Sequence, residues 1–358
     1  MRALLRVVAL DEAGQGAGMK IGGMALVTIT AALLLGGCQE QKHKLVVYTA
    51  AEADQLPAYE AAFRKAHPEI ELVWVRDSTG VVTAKLLAEK NAPQADVVFA
   101  LAASSLLQLD AEKMLQPYAP KGEAGRDPRF DDTRKPPHWN GEALWSTAIC
   151  INTVEIAKRH VPVPQSWEDL TKPIYRGMIA MPDPGSSGTG LLTVSAWLQM
   201  WGEARGWDYM DRLDKNIAQY VHSGSKPCKD AARGEIPIGI SFDFRAAKTK
   251  SEGAPIEIVI PKEGTGWDVE ASAIIAGTKH SPEAEAFMDW AMSADAMRVY
   301  AKSFAVIAVP KLAAPVSNLP GDLPSRLAKA DLQWLAHNRT RVIDAWTARY
   351  AAHKAATP

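Results

Sequence analysis

From residue 45 onwards short apolar runs alternate with stretches whose apolar positions recur at helical spacing. Residues 45–49, 71–76 and 96–100 have the length and β-branched, aromatic content of strands, while 57–66 and 81–90 have the pattern of amphipathic helices. Strands separated by helices of that length pair in parallel, with helices over both faces of the sheet. After a segment rich in Pro, Gly and charge (117–140) the alternation resumes, with strands expected at 144–151, 177–181, 236–241 and 256–260. A further strand at 271–276 and a helix at 282–292 follow, and the end of the chain, 327–352, reads as a long amphipathic helix.

The expected fold class is therefore α/β, with two mixed sheets flanked by helices in two lobes. The chain is expected to pass between the lobes twice, near 145–152 and near 261–266. That assigns 38–146 plus 266–358 to lobe 1 and 147–265 to lobe 2, and it makes a two-crossing hinge with a cleft between the lobes. Ligands of open α/β sheets sit beyond the carboxyl ends of the strands, so the loops after the strands are where function is to be sought.

The N-terminus is of a different kind. Lys20 precedes an uncharged apolar run over 24–35 that is too short for a membrane-spanning helix and ends in Gly36-Gly37-Cys38. This resembles a lipoprotein signal, which makes 1–37 a leader and Cys38 the lipidated residue. Asp11 and Glu12 are foreign to such a leader, so translation is expected to start at Met19. Several acyl chains on Cys38 would hold the domain at a membrane.

Roughly 320 residues remain after the leader, enough for about two domains. The 40 Lys and Arg against 41 Asp and Glu form no basic stripe, which removes nucleic acid as a partner. No Cys or His spacing suggests a metal, and no cofactor motif occurs. Cys150 and Cys228 are left; an oxidising compartment favours a disulfide between them, and two free buried thiols are the other reading.

Three loops carry candidate chemistry. Pro182-Asp183-Pro184-Gly185-Ser186-Ser187-Gly188-Thr189-Gly190 lies between a strand and a helix, where unpaired N–H groups and the positive end of the helix dipole attract anions. An ordinary helix cap uses the same residues. Asp77-Ser78-Thr79-Gly80 repeats the design in the other lobe, so two helix starts can hold one anion from both sides. Ser223-Gly224-Ser225 is a weaker third instance. Glu52 follows the first strand, and Asp243 follows a second-lobe strand between Phe242 and Phe244; a carboxylate beside aromatic rings suits an ammonium group. Enzyme chemistry finds no support: Gly185-Ser186-Ser187-Gly188-Thr189 lacks the final Gly of a nucleophile elbow, there is no phosphate-binding loop ending in Gly-Lys-Ser/Thr, and the eight His lie in polar surroundings.

Together Val47-Tyr48-Thr49-Ala50-Ala51-Glu52, Ser78-Thr79-Gly80, Asp96-Val97-Val98-Phe99, Ser186-Ser187-Gly188-Thr189-Gly190 and Ser241-Phe242-Asp243 resemble the type II periplasmic binding proteins of the iron(III) and phosphonate branch, especially the 2-aminoethylphosphonate-binding proteins of ABC importers. The resemblance implies a non-enzymatic, monomeric, periplasmic capture protein working with an inner-membrane ABC permease. Iron-binding members use adjacent tyrosines near the position of Phe242-Asp243-Phe244-Arg245; no two tyrosines are adjacent here. Ferric iron, another anion or a polyamine are the alternatives. The resulting expectation is a zwitterion clamp: phosphonate at Ser78, Thr79, Gly80, Ser186, Ser187, Gly188 and Thr189, ammonium at Glu52 and Asp243. Asp77, Ser225 and Arg245 are further candidates at the charges, with Tyr118 and Trp145 as walls for the alkyl chain.

Overall fold

A computed structural model describes residues 43–355. The expected leader and Cys38 lie outside the described residues. Eleven strands are described: β1 (His43–Thr49), β2 (Ile70–Arg76), β3 (Val97–Ala102), β4 (Leu115–Gln116), β5 (Asn140–Asn152), β6 (Ile179–Pro182), β7 (Ile217–Val221), β8 (Ile238–Phe242), β9 (Ile256–Val259), β10 (Trp267–Ile275) and β11 (Val306–Ile307). The helices are α1 (Leu56–Ala66), α2 (Thr79–Ala88), α3 (Ala103–Ala111), α4 (Thr153–Lys158), α5 (Gly188–Trp201), α6 (Glu203–Asp214), α7 (Lys226–Ala232), α8 (Asp243–Ser251), α9 (Ser281–Ala291), α10 (Ala294–Tyr300) and α11 (Leu332–Ala355).

The strands run in the order β2-β1-β3-β10-β5-β8-β6-β7, with β4 on β10 and β9 and β11 on β5. β1 pairs in parallel with β2 and β3, and β6 in parallel with β7 and β8, as βαβ crossovers require; β10 and β5 run antiparallel to their neighbours. Burial explains the apolar runs. Every residue of β3 and of β5 is buried, because helices cover both faces. α1 starts with Pro in its first turn and ends with Arg64 and Lys65, signals that match its N- and C-termini. It sinks Tyr59 and Phe63 into an aromatic cluster with Phe99, Phe287 and Trp290. In lobe 2, Trp197 packs edge-on against both Trp167 and Tyr209.

β5 belongs to both sheets. Asn140 to Ser146 pair with β10, and Thr147 to Ile151 pair with β8, so the exchange of partners falls between Ser146 and Thr147. The returning chain lies beside it: the Thr147 N–H donates to Gly266 O (2.9 Å), and the Thr147 and Thr265 hydroxyls meet at 2.5 Å. The C-terminal part does not stay with one lobe. α11 rests on α3 but also on α5 and β7, placing Trp346 against Tyr220 and pairing Arg349 with Asp211. Cys150 on β5 and Cys228 on α7 form a disulfide with Cα atoms 5.3 Å apart.

Candidate ligand-binding site

Each anion-type loop begins where a strand stops. β2 ends at Arg76, and Ser78, extended at φ −67° and ψ 150°, is the N-cap of α2. β6 ends at Pro182; the Asp183 Oδ1 atom then accepts from the N–H groups of Gly185 (2.6 Å) and Ser186 (3.3 Å), curling the chain so that the Ser187 hydroxyl caps α5 through Gly190 N–H (3.3 Å). Gly190 is needed there, because a Cβ would lie 2.5 Å from Pro182 O. Ser223 and Gly224 follow β7 in the same manner, before α7.

The three loops meet. Ser78, Thr79, Ser187, Gly188, Thr189, Ser223 and Gly224 line one cavity of about 50 Å³ between the lobes, room for a few waters. The lobes touch across it: Gly80 N–H donates to Ser186 O (3.0 Å), and a Cβ on Gly188 would stand 2.7 Å from the Thr79 hydroxyl. Among the described residues nothing engages the hydroxyls of Ser78, Thr79 and Thr189. With the unpaired N–H groups of two helix starts, they form a set of donors from both lobes around one point. Trp145, Phe242 and Phe244 supply an apolar wall, Trp145 edge-on to Phe242 at 6.1 Å.

The charged residues correct several expectations. Glu52 lines the cavity, but its carboxylate already accepts from Arg245 (2.8 Å) and Lys229 (3.2 Å), both in lobe 2. Arg245 is not at the anion: its guanidinium, almost wholly buried, is taken by Glu52 and by Asp54 (2.9 and 3.1 Å). Asp243 does not line the cavity. It is turned inwards, where Ser146 Oγ (2.9 Å) and Phe244 N–H (2.7 Å) donate to it, and burial pushes its pKa up to about 6.

Five other expected residues are also placed elsewhere. Gly80 spends its N–H on Ser186 O, and the Ser186 hydroxyl donates to His222 O (3.0 Å). Asp77 pairs with His222 Nε2 at 3.0 Å outside the cavity. Ser225 meets Ser223 Oγ at 3.1 Å, and Tyr118 donates to Asp289 (2.9 Å) on lobe 1.

Two charged residues that sequence reasoning missed do line the cavity, Arg76 and Glu270. Arg76 ends β2 immediately before the Asp77-Ser78-Thr79-Gly80 loop, a position that could have been read. Glu270 sits in the middle of β10, where an acid in an apolar strand was the only signal. It is nine-tenths buried, has no hydrogen-bond partner among the described residues, and burial together with Glu142, Glu52, Asp243 and Asp268 drives its pKa well above the usual carboxylate range.

A two-lobe α/β frame with donors from both lobes around a central cavity is the geometry of a capture protein, and comparison with known proteins agrees. Residues 92–341 match the family model of bacterial extracellular solute-binding proteins. The chain belongs to that family. It is thus a periplasmic solute-binding protein, a transport protein and not an enzyme. An uncharacterised Haemophilus influenzae protein is 34% identical over 74% of this chain and 77% of its own length. A probable ABC transporter periplasmic-binding protein of Sinorhizobium fredii is 30% identical, with 63% of each chain covered. The solved structure of AfuA from Actinobacillus pleuropneumoniae, with exogenous fructose-6-phosphate bound, superposes with a TM-score of 0.80 at 31% identity, covering 86% of this solute-binding protein and 98% of AfuA. No helix among the described residues is long and apolar enough to cross a membrane.

Proposed function

We propose that this chain is the capture subunit of an ABC importer for a small solute bearing a phosphoryl or phosphonyl group, held to the membrane through Cys38 and handing its cargo, as a monomer, to an inner-membrane permease. The observation that carries this is the set of unengaged Ser78, Thr79 and Thr189 hydroxyls, with helix starts of both lobes, around one cavity. Such donors suit tetrahedral oxygens, and the fructose-6-phosphate in AfuA is a ligand of that kind.

The other end of the solute faces Glu270 and the Trp145–Phe242–Phe244 wall. Glu52 is occupied and Asp243 is turned away, so the ammonium of 2-aminoethylphosphonate would be read by Glu270 instead. A sugar phosphate would present a hydroxyl to the same carboxyl. A ferric cargo is disfavoured, because the cavity lining holds no tyrosine and the described residues contain no group of three His, Cys, Asp or Glu able to hold a metal. A polyamine would need several free carboxylates, and with Glu52 spent on cations the lining leaves Glu270 alone.

Isothermal titration of the purified protein with 2-aminoethylphosphonate, glucose 6-phosphate, inorganic phosphate, ferric citrate and putrescine tests the proposal. Heat with a phosphorus-bearing solute, weakened about tenfold or more by Thr189→Ala without a change in melting temperature, is the expected result. Binding of ferric citrate or putrescine alone would overturn it.

A further inference from the structure

We infer that Arg76 is a specificity-determining residue that makes the cleft prefer a doubly charged anionic head over a singly charged one. This deepens the phospho-solute reading, on which it rests, by naming the charge the site selects and the group that selects it. Arg76 is the one cation among the described residues lining the cavity. It ends β2, two residues before Ser78, and its Nε donates to Ala51 O (2.9 Å), which fixes the plane of the guanidinium. The terminal nitrogens carry no hydrogen bond: Nη2 forms only a long ion pair with Glu52 Oε1 at 3.5 Å, and among the described residues no acceptor takes a hydrogen bond from either of them.

The neighbouring charges leave Arg76 available. Glu52, its nearest acid, is already bound by Arg245 and Lys229 from the other lobe, so the local balance is positive. Asp77, next in sequence, is directed to His222. Glu270, which also lines the cavity, is held towards its neutral form by burial and then by the charges of neighbouring acids. Hydroxyls and backbone N–H groups solvate one negative charge adequately, but a second charge in a site this enclosed needs a counter-ion. An arginine fork matches two phosphoryl oxygens at once, which a neutral donor cannot do.

The test is titration of wild type, Arg76→Gln and Arg76→Lys at pH 8, where phosphate monoesters carry two charges, with glucose 6-phosphate, 2-aminoethylphosphonate and the singly charged monomethyl ester of each. Wild type is expected to favour the doubly charged member of whichever pair it binds. Arg76→Gln should lose about tenfold or more for that member and little for its ester, so the preference collapses; Arg76→Lys should fall between. A residue with a merely structural role would weaken both members alike, so an unchanged preference in Arg76→Gln overturns the inference. Should Arg76→Gln fail to show a cooperative melt, Arg76→Lys decides, and wild-type affinities for both members overturn it. Wild type that binds none of the four compounds, and inorganic phosphate no better, instead sinks the phospho-solute reading itself.

Discussion

At the scale of single residues, the acids beneath the cavity behave unlike surface carboxylates. Burial pushes Glu142 up to about 8, opposed by the donating Ser272 hydroxyl and by Arg126, and pushes Asp268, bonded to Ser104 (2.6 Å), up to about 6. A carboxyl whose folded pKa lies above its unfolded value binds more protons folded than unfolded, so its favourable contribution is complete at low pH and is lost as pH rises through the folded value. For Glu142 that window is about pH 4.5 to 8. Stability should therefore fall across it, by at most about 1.4 kcal/mol per pH unit for this one group. Glu142→Gln should flatten the fall; urea unfolding of both proteins at pH 5, 6.5 and 8 measures it, and parallel curves would show that Glu142 is not the source. The same burial accompanies the absence of Asp243 from the cavity lining. A carboxylate flanked by Phe242 and Phe244 looked exposed to a cleft, but in the fold those rings form the wall and the acid lies behind them with Ser146.

At the scale of elements, the cavity depends on how three short loops are seated. Two are fixed by the longer helices α2 and α5. The third, Ser223-Gly224, hangs on α7, a helix of seven residues held by the Cys150–Cys228 disulfide to β5. The bridge closes a loop with a sequence separation of 78, for which removal typically costs about 2–5 kcal/mol. Cys150→Ala/Cys228→Ala should lower stability in urea by that order and should also weaken solute binding, because Gly224 is packed against the Thr189 and Ser187 side chains. Loss of stability with untouched affinity would mean that α7 is seated by its packing on β8, β5 and α8 without the bridge.

At the scale of the whole molecule, the lobes are latched by charge as well as by the backbone contact beside the donors. Arg245 and Lys248 of lobe 2 both reach Asp54 of lobe 1, while Lys229 and Arg245 share Glu52. These groups favour the closed form whether or not solute is present. Asp54→Asn should shift the ligand-free protein towards an open form, seen as a larger radius of gyration in small-angle scattering, and should weaken binding by about fivefold. Identical scattering from variant and wild type would show that the Glu52 pairs with Arg245 and Lys229, together with the backbone contact between Gly80 and Ser186, suffice to hold the lobes.

The alternation of strands and helices, the two-lobe class and the Ser/Thr/Gly helix starts were legible in the sequence, because each is a local consequence of periodicity and capping chemistry. Residues 45–49 and 71–76 became β1 and β2 nearly as read, while the expected strand at 236–241 was displaced to Ile238–Phe242, and β7 and α6 passed unread between stronger signals. The C-terminal helix was recognised as a helix, but its contact with both lobes was not, since amphipathicity says that a face is covered and not by what. Which acid or base lines the cavity was decided by tertiary structure alone. Glu52, Arg245, Asp243, Arg76 and Glu270 are indistinguishable as charged residues near strand ends or within strands. Their roles follow from pairings between residues up to 193 apart in sequence, formed only when the lobes come together.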